Sequence, residues 1–202
     1  MNSKSVRIRS KKAAPSLPQA QPILDQRAKV TQPPGALLFY PLSLGEPVRR
    51  TSVEGLNQIL ADTLYLRDMF KKHHWQVSGP TFYQLHLLFD KFFEEQSMLV
   101  DLLAERVQTL GGVAVAMPNE VVEMTRIARP PRGREQVPVQ LSRLVEGLAV
   151  ILAESHKLAK IVHESGDDGT DNLLTSDVIP ANEKQVWFLS QHLVETPVVR
   201  AR

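Results

Sequence analysis

The sequence predicts an all-α protein: a four-helix bundle with one long connection in its middle and a basic segment in front. Three observations predict it. Apolar residues recur at helical spacing over four long segments, no segment shows the two-residue alternation of a strand, and residues 1–50 have little periodicity of either kind.

Residues 1–50 hold seven of the 14 prolines: Pro15, Pro18, Pro22, Pro33, Pro34, Pro41 and Pro47. Proline at that density cannot sustain a helix or a paired strand. The stretch is expected to be a basic, Pro-rich and largely disordered N-terminal tail, with the bundle over 51–195 and a short C-terminal tail over 196–202.

Thr51 and Glu54 have capping-box spacing, and Leu56, Ile59, Leu60, Thr63, Leu64, Met69 and Phe70 follow at helical intervals. This predicts a first helix up to Val77, ended by Ser78-Gly79-Pro80. A second helix starts at Tyr83, buries Leu85, Leu88, Phe89, Phe92, Leu99, Leu103 and Val107, and stops at Gly111-Gly112. The connection from Val113 to Pro138 is rich in turn residues, with a short helix expected over Glu120–Ala128. A third helix carries Leu141, Leu144, Leu148, Ile151, Leu158 and Ile161 and ends at Ser165-Gly166. The fourth is expected from Thr170 to His192, broken or kinked by Pro180, which removes a backbone donor.

Composition narrows the chemistry. There is no cysteine among the 202 residues, which excludes disulfides and thiolate metal sites and fits a reducing compartment, so a cytoplasmic location is expected. No apolar run approaches the roughly 18 residues of a membrane span, and no membrane partner is expected. Residues 1–50 carry nine Lys/Arg against two Asp/Glu, whereas 51–202 carry fifteen against twenty. Lys4, Arg7, Arg9, Lys11 and Lys12 make the first part a candidate DNA-binding tail.

Candidate metal ligands concentrate in residues 74–105: His74, His86, Asp90, Asp101 and Glu105. His86/Asp90 and Asp101/Glu105 are each spaced i,i+4, so each pair projects from one helix face. His86 and Asp101 are fifteen residues apart, about 22 Å along a helix at 1.5 Å per residue, so one chain cannot bring them to one metal. Two antiparallel copies about a two-fold axis can. The pairs 86/105 and 90/101 share one midpoint, so a dyad there sets His86 against the other copy's position 105, twice over. With His74 across a short turn from His86, the set of two imidazoles and three carboxylates suits Fe²⁺/Fe³⁺ better than Mg²⁺ or Ca²⁺, and ligand type leaves Zn²⁺ and Mn²⁺ open.

These residues carry a family resemblance. His74-Trp75, Gly79-Pro80-x-Phe82, Leu85-His86-x-x-x-Asp90 and Asp101-x-x-Ala104-Glu105-Arg106, followed by Leu110-Gly111-Gly112, resemble the signature of the Dps family of mini-ferritins. The likeness continues through Asp167-Asp168-Gly169-Thr170 and Glu183-Lys184-x-x-Trp187, covering residues 51–193. It implies a ferritin-like four-helix bundle with a short helix in the long middle connection, assembling into a hollow dodecamer. It further implies ferroxidase centres between two subunits, with His74 and His86 from one, Asp101 and Glu105 from the other and Asp90 nearby. Fe²⁺ would be oxidised there, preferentially by hydrogen peroxide, and stored as ferric mineral, protecting DNA. Asp167, Asp168 and Asp171 would be candidates to line an iron-entry pore, although acids at a helix start ordinarily serve as caps. The chain departs from the family at Pro180 and in a Thr170–Trp187 interval about one residue longer.

Two other functions compete. A nucleoid DNA-binding protein would act through the basic tail, with iron chemistry minor. A ferritin or di-iron oxidase with its centre inside one bundle would need Glu-x-x-His pairs, and the chain has none. His73, about 100° around the helix from His74, reads as a surface residue. His156, His163 and His192 lack ligand-type companions at useful spacing and read as structural or solvated; Trp75 reads as packing.

Overall fold

The computed structural model describes residues 30–194, and residues from Gln32 onward form one unit. Four long helical stretches build it: α1 (Glu46–Gln76), α2 (Phe82–Thr109), α4 (Val137–Glu164) and a last stretch made of α5 (Asp168–Leu173), a π-helical turn (Leu174–Val178) and α6 (Ile179–Gln191). The short α3 (Pro118–Met124) lies in the long connection between α2 and α4, shifted toward the N-terminus of the expected 120–128. The all-α, ferritin-like bundle with its short extra helix is therefore present.

Register gives the topology. Gly55 faces Leu158 and Gly147 faces Leu66, so α1 and α4 run antiparallel. At Gly55 the approach is close: a Cβ there would lie 2.5 Å from Leu158 Cδ1, so only a missing side chain admits that leucine. Gln96 meets Asn182 and Gln185, and Arg106 meets Thr170, so α2 and α6 are antiparallel too. Since α1 and α2 form a hairpin, α2 and α4 point the same way, and only a long crossover can join them. The core between the layers holds Leu56, Leu60, Phe70, Phe89, Phe92, Leu103, Leu144 and Ile151, all buried. Phe70 and Phe92 meet edge-on at 5.6 Å.

The first helix begins at Glu46, five residues before Thr51. Pro47 sits in its first turn, where its missing N–H costs nothing, and Thr51 lies inside the helix with Oγ1 donating to Pro47 O rather than capping. Residues 32–45 are not a free tail either. Leu37, Leu42 and Leu44 pack against the core, Leu38 N donates to Gly111 O, and buried Arg49 donates from Nη1 to Leu38 O and Leu110 O. Gly111 permits this contact: its φ is +86°, and a Cβ would lie 2.3 Å from Leu38 O. Proline-rich sequence without periodicity reads as disorder, but here the polar groups find partners on α1 and at the end of α2.

The crossover is tied down from α1. Asn57 pairs with Val113 O and Val115 N, both at 2.9 Å. The fully buried carboxylate of Asp62 accepts from Thr125 Oγ1 (2.8 Å) and Arg126 N (2.7 Å).

Pro180 neither breaks the last helix nor stops it. Ile179 N donates to Leu174 O, five residues back, so the chain makes one wide turn just before the proline that cannot donate. A π turn holds one more residue than an α turn would. Beyond it, buried Gln96 donates to Asn182 Oδ1 and Gln185 Oε1, both at 2.9 Å, fixing α6 against α2.

Candidate metal centre

His74 is in the last turn of α1 and His86 in the first turns of α2, and the reversal at 77–81 stacks their rings at 3.7 Å and 21°. Each ring's Nδ1 lies against the other residue's backbone carbonyl: His74 Nδ1 to His86 O at 2.8 Å, and His86 Nδ1 to His74 O at 2.9 Å. A carbonyl oxygen only accepts, so both Nδ1 atoms carry a proton, and Nε2 is the ring nitrogen left to face a metal. That tautomer directs a metal to Nε2, and it is held by backbone rather than by a side chain. Phe82, 5.1 Å from His86, covers the stack on one side.

Asp90, one turn after His86, is ion-paired with the Lys71 ammonium, and the Lys71 hydrogen bond holds its carboxyl below the usual range. Lys71 also lies over the Phe93 ring at 4.6 Å. His74 Nδ1 is 3.9 Å from Asp90 Oδ1. Asp101 and Glu105 are exposed farther along α2 and form no ion pair among the described residues. One chain thus brings His74, His86 and Asp90 together but not the acids at 101 and 105. Among the described residues no cluster of three or more His, Asp or Glu from a single chain is placed to hold a metal. Two imidazoles at the α1–α2 end, and an exposed acid pair farther along α2, are donor types that suit Fe²⁺.

The three pore candidates separate. Asp167 is fully buried, so it is a structural residue and not a pore lining within this chain. Its carboxylate accepts from Ser52 Oγ (2.6 Å), Thr170 N (3.1 Å) and Thr170 Oγ1 (2.7 Å), and pairs with Arg106. Burial pushes its pKa up, but those hydrogen bonds and the Arg106 charge hold it below the ordinary range. Asp168 is exposed, and Asp171 Oδ2 sits 3.0 Å from His163 Nδ1.

Two further expectations are corrected. His73 is fully buried, both ring nitrogens lacking a partner, and burial followed by the Lys72 charge lowers its pKa to about 4. The signal was available, since position 73 continues the Leu66–Phe70–Val77 stripe at i,i+3/i+4 spacing. Trp75 is 68% exposed rather than packed within the chain. His163 and His156 do have carboxylate neighbours, Asp171 and, at 3.8 Å, Glu183. Lys4, Arg7, Arg9, Lys11 and Lys12 lie outside the described residues, as does 195–202. No helix among the described residues is long and apolar enough to cross a membrane.

A helical bundle with this crossover and a His-rich α1–α2 end defines a ferritin-like protein, and the ferritin-like domain profile matches residues 53–199. The chain belongs to the Dps family. It is similar to DpsC from Streptomyces coelicolor, with TM-score 0.83 and 50% identity over 85% of this chain and 100% of that one. It is 30% identical to the DNA protection during starvation protein 2 of Bacillus anthracis over 141 residues, 70% of this chain and 95% of the relative. A Dps protein from Vibrio cholerae O1, described as a member of a broad superfamily of ferritin-like diiron-carboxylate proteins, matches with TM-score 0.73 and 25% identity over 79% of this chain and 99% of that one.

Proposed function

We propose that two copies pair antiparallel along α2 and form two ferroxidase centres, each built from His74 and His86 of one copy and the acids at 101 and 105 of the other. The observation that carries this reading is the reciprocal backbone clamp on the two histidines, which leaves Nε2 of each ring to face a metal. Asp90, 3.9 Å from His74 Nδ1 and held by Lys71, is a further carboxylate close to the histidines. Fe²⁺ is the substrate. The imidazoles supply neutral donors, and the carboxylates offset the charge and favour the Fe³⁺ product over Fe²⁺. Two Fe²⁺ give one electron each to hydrogen peroxide, which takes up two protons and leaves as two waters. The ferric product is stored inside a hollow dodecamer in the cytoplasm, and DNA is spared because peroxide is consumed without releasing hydroxyl radical. Zn²⁺ would occupy the same ligands without turnover. The basic tail favours a nucleoid location as a second role.

Mixed assembly tests the division of ligands. A His74→Ala/His86→Ala chain and an Asp101→Asn/Glu105→Gln chain are each inactive alone. Co-refolded in equal amounts, half of the dimers are mixed and each mixed dimer regains one complete site of two, so about a quarter of wild-type activity returns, by two-fold geometry. Background activity in proven mixed dimers refutes the shared centre.

A further inference from the structure

Residues 126–134 read Arg-Ile-Ala-Arg-Pro-Pro-Arg-Gly-Arg: four arginines in nine residues with no acid. From position 51 onward acids outnumber cations twenty to fifteen, so this concentration is local and runs against its surroundings. All four arginines are exposed. Arg126 is neutralised by Glu154, but Arg129, Arg132 and Arg134 make no ion pair or side-chain hydrogen bond among the described residues. The neighbouring Glu135 does not offset them, because both its oxygens are held by Arg143, at 2.7 and 2.8 Å. Lys72 of α1 lines the same recess as Pro130 and adds a cation beside the ridge; Arg67 lines it too but is paired with Asp68 at 2.9 Å.

The segment is anchored rather than loose. At its start Asp62 grips Thr125 and Arg126, and Ile127 is buried. At its end fully buried Gln140 donates to Glu135 O at 2.7 Å. Pro130 and Pro131 fix φ between Arg129 and Arg132. Three like charges held close together cost repulsion, and the fold spends anchoring contacts to keep them there. Guanidinium forks suit phosphate oxygens, which they bind in bidentate fashion.

We propose that this arginine ridge is a contact for the phosphate backbone of duplex DNA, separate from the N-terminal tail. The residue types select that partner. The ridge has no aromatic side chain to stack on unpaired bases. Its one large apolar residue, Ile127, is buried, so nothing is left to insert into a lipid surface. What remains is a run of positive charge on an anchored backbone, which suits the phosphates of a duplex. The proposal rests on the DNA-protecting part of the reading above and is independent of the iron chemistry.

The test uses the full-length chain and its Arg129→Gln/Arg132→Gln/Arg134→Gln variant. Affinity for a duplex of about 30 base pairs is followed by fluorescence anisotropy between about 50 and 200 mM salt, where each arginine on a phosphate contributes about 0.9 to the slope of log affinity against log salt. The slope is expected to fall by about 2 to 3, and the triple Arg→Lys variant to keep it. Peroxide-dependent Fe²⁺ oxidation should be unchanged in both, so failure of the iron reading and failure of the ridge are read separately. An unchanged slope in a Gln variant that assembles as wild type overturns the proposal. Should that variant not assemble, phenylglyoxal modification of the wild-type protein decides, with peptides mapped by mass spectrometry. Protection of Arg129, Arg132 and Arg134 by bound duplex supports the ridge, and equal modification with and without DNA overturns it.

Discussion

His74 and His86 hold each other in place: each imidazole's Nδ1 donates to the other residue's carbonyl, at 2.8 and 2.9 Å, while the rings stack at 3.7 Å. The clamp settles tautomer and direction before any metal arrives, because both proton-bearing nitrogens are already used. The two nitrogens left over bring no negative charge, and a centre that favours Fe³⁺ over Fe²⁺ needs it added.

That charge is expected from Asp101 and Glu105. In Asp101→Asn/Glu105→Gln, Zn²⁺ binding measured calorimetrically should weaken by at least about 10- to 100-fold, the loss typical of even outer-sphere changes, and initial Fe²⁺ oxidation should slow in proportion. Size-exclusion chromatography should show the wild-type assembly. An unchanged oxidation rate would remove these acids from the centre.

Arg106→Met should leave the Asp167 carboxylate buried without its countercharge. Breaking a buried pair from one side costs about 3–5 kcal/mol, so the denaturant midpoint should fall accordingly. Arg106→Met/Asp167→Asn should recover part of the loss, since the remaining amide can still meet Ser52 and Thr170. A double variant no more stable than the single one argues against a charge effect.

Gly111→Ala tests the docking of residues 32–45. A left-handed backbone costs a non-glycine residue about 1–3 kcal/mol, and the added Cβ also meets Leu38 O. Amide exchange at Leu38 should accelerate ahead of exchange in the α2 core. Protection at Leu38 equal to wild type would mean that the segment is held by other contacts.

His73 should make stability depend on pH. Its folded pKa of about 4 lies below the ordinary 6.5, so between these values the unfolded chain binds the proton more readily than the native one. Stability contributed by the neutral buried ring is full above pH 6.5 and is lost as pH falls toward 4, by about 3 kcal/mol at 1.36 kcal/mol per unit. Asp167, held below its ordinary range, adds a loss only at lower pH. In metal-free buffer, His73→Leu should flatten the curve between pH 4 and 6.5. A variant that keeps the wild-type slope there would assign the dependence elsewhere.

Helical period, chain breakers and ligand spacing are local properties, and the sequence by itself determined what depends on them: four long helices, the α1–α2 hairpin end, and His86, Asp90, Asp101 and Glu105 on one helix. Tertiary structure decided what depends on partners distant in sequence. Residues 32–45 look disordered until Gly111 and Arg49 satisfy their backbone. Asp167 looks like a surface acid until Ser52 and Arg106, more than 60 positions away, close around it. Pro180 looks like a break until a π turn before it absorbs one residue. Even His73 shows the limit: its period marks an inward face, but a polar side chain there is ordinarily solvated, and it is the bundle packed around α1 that buries it.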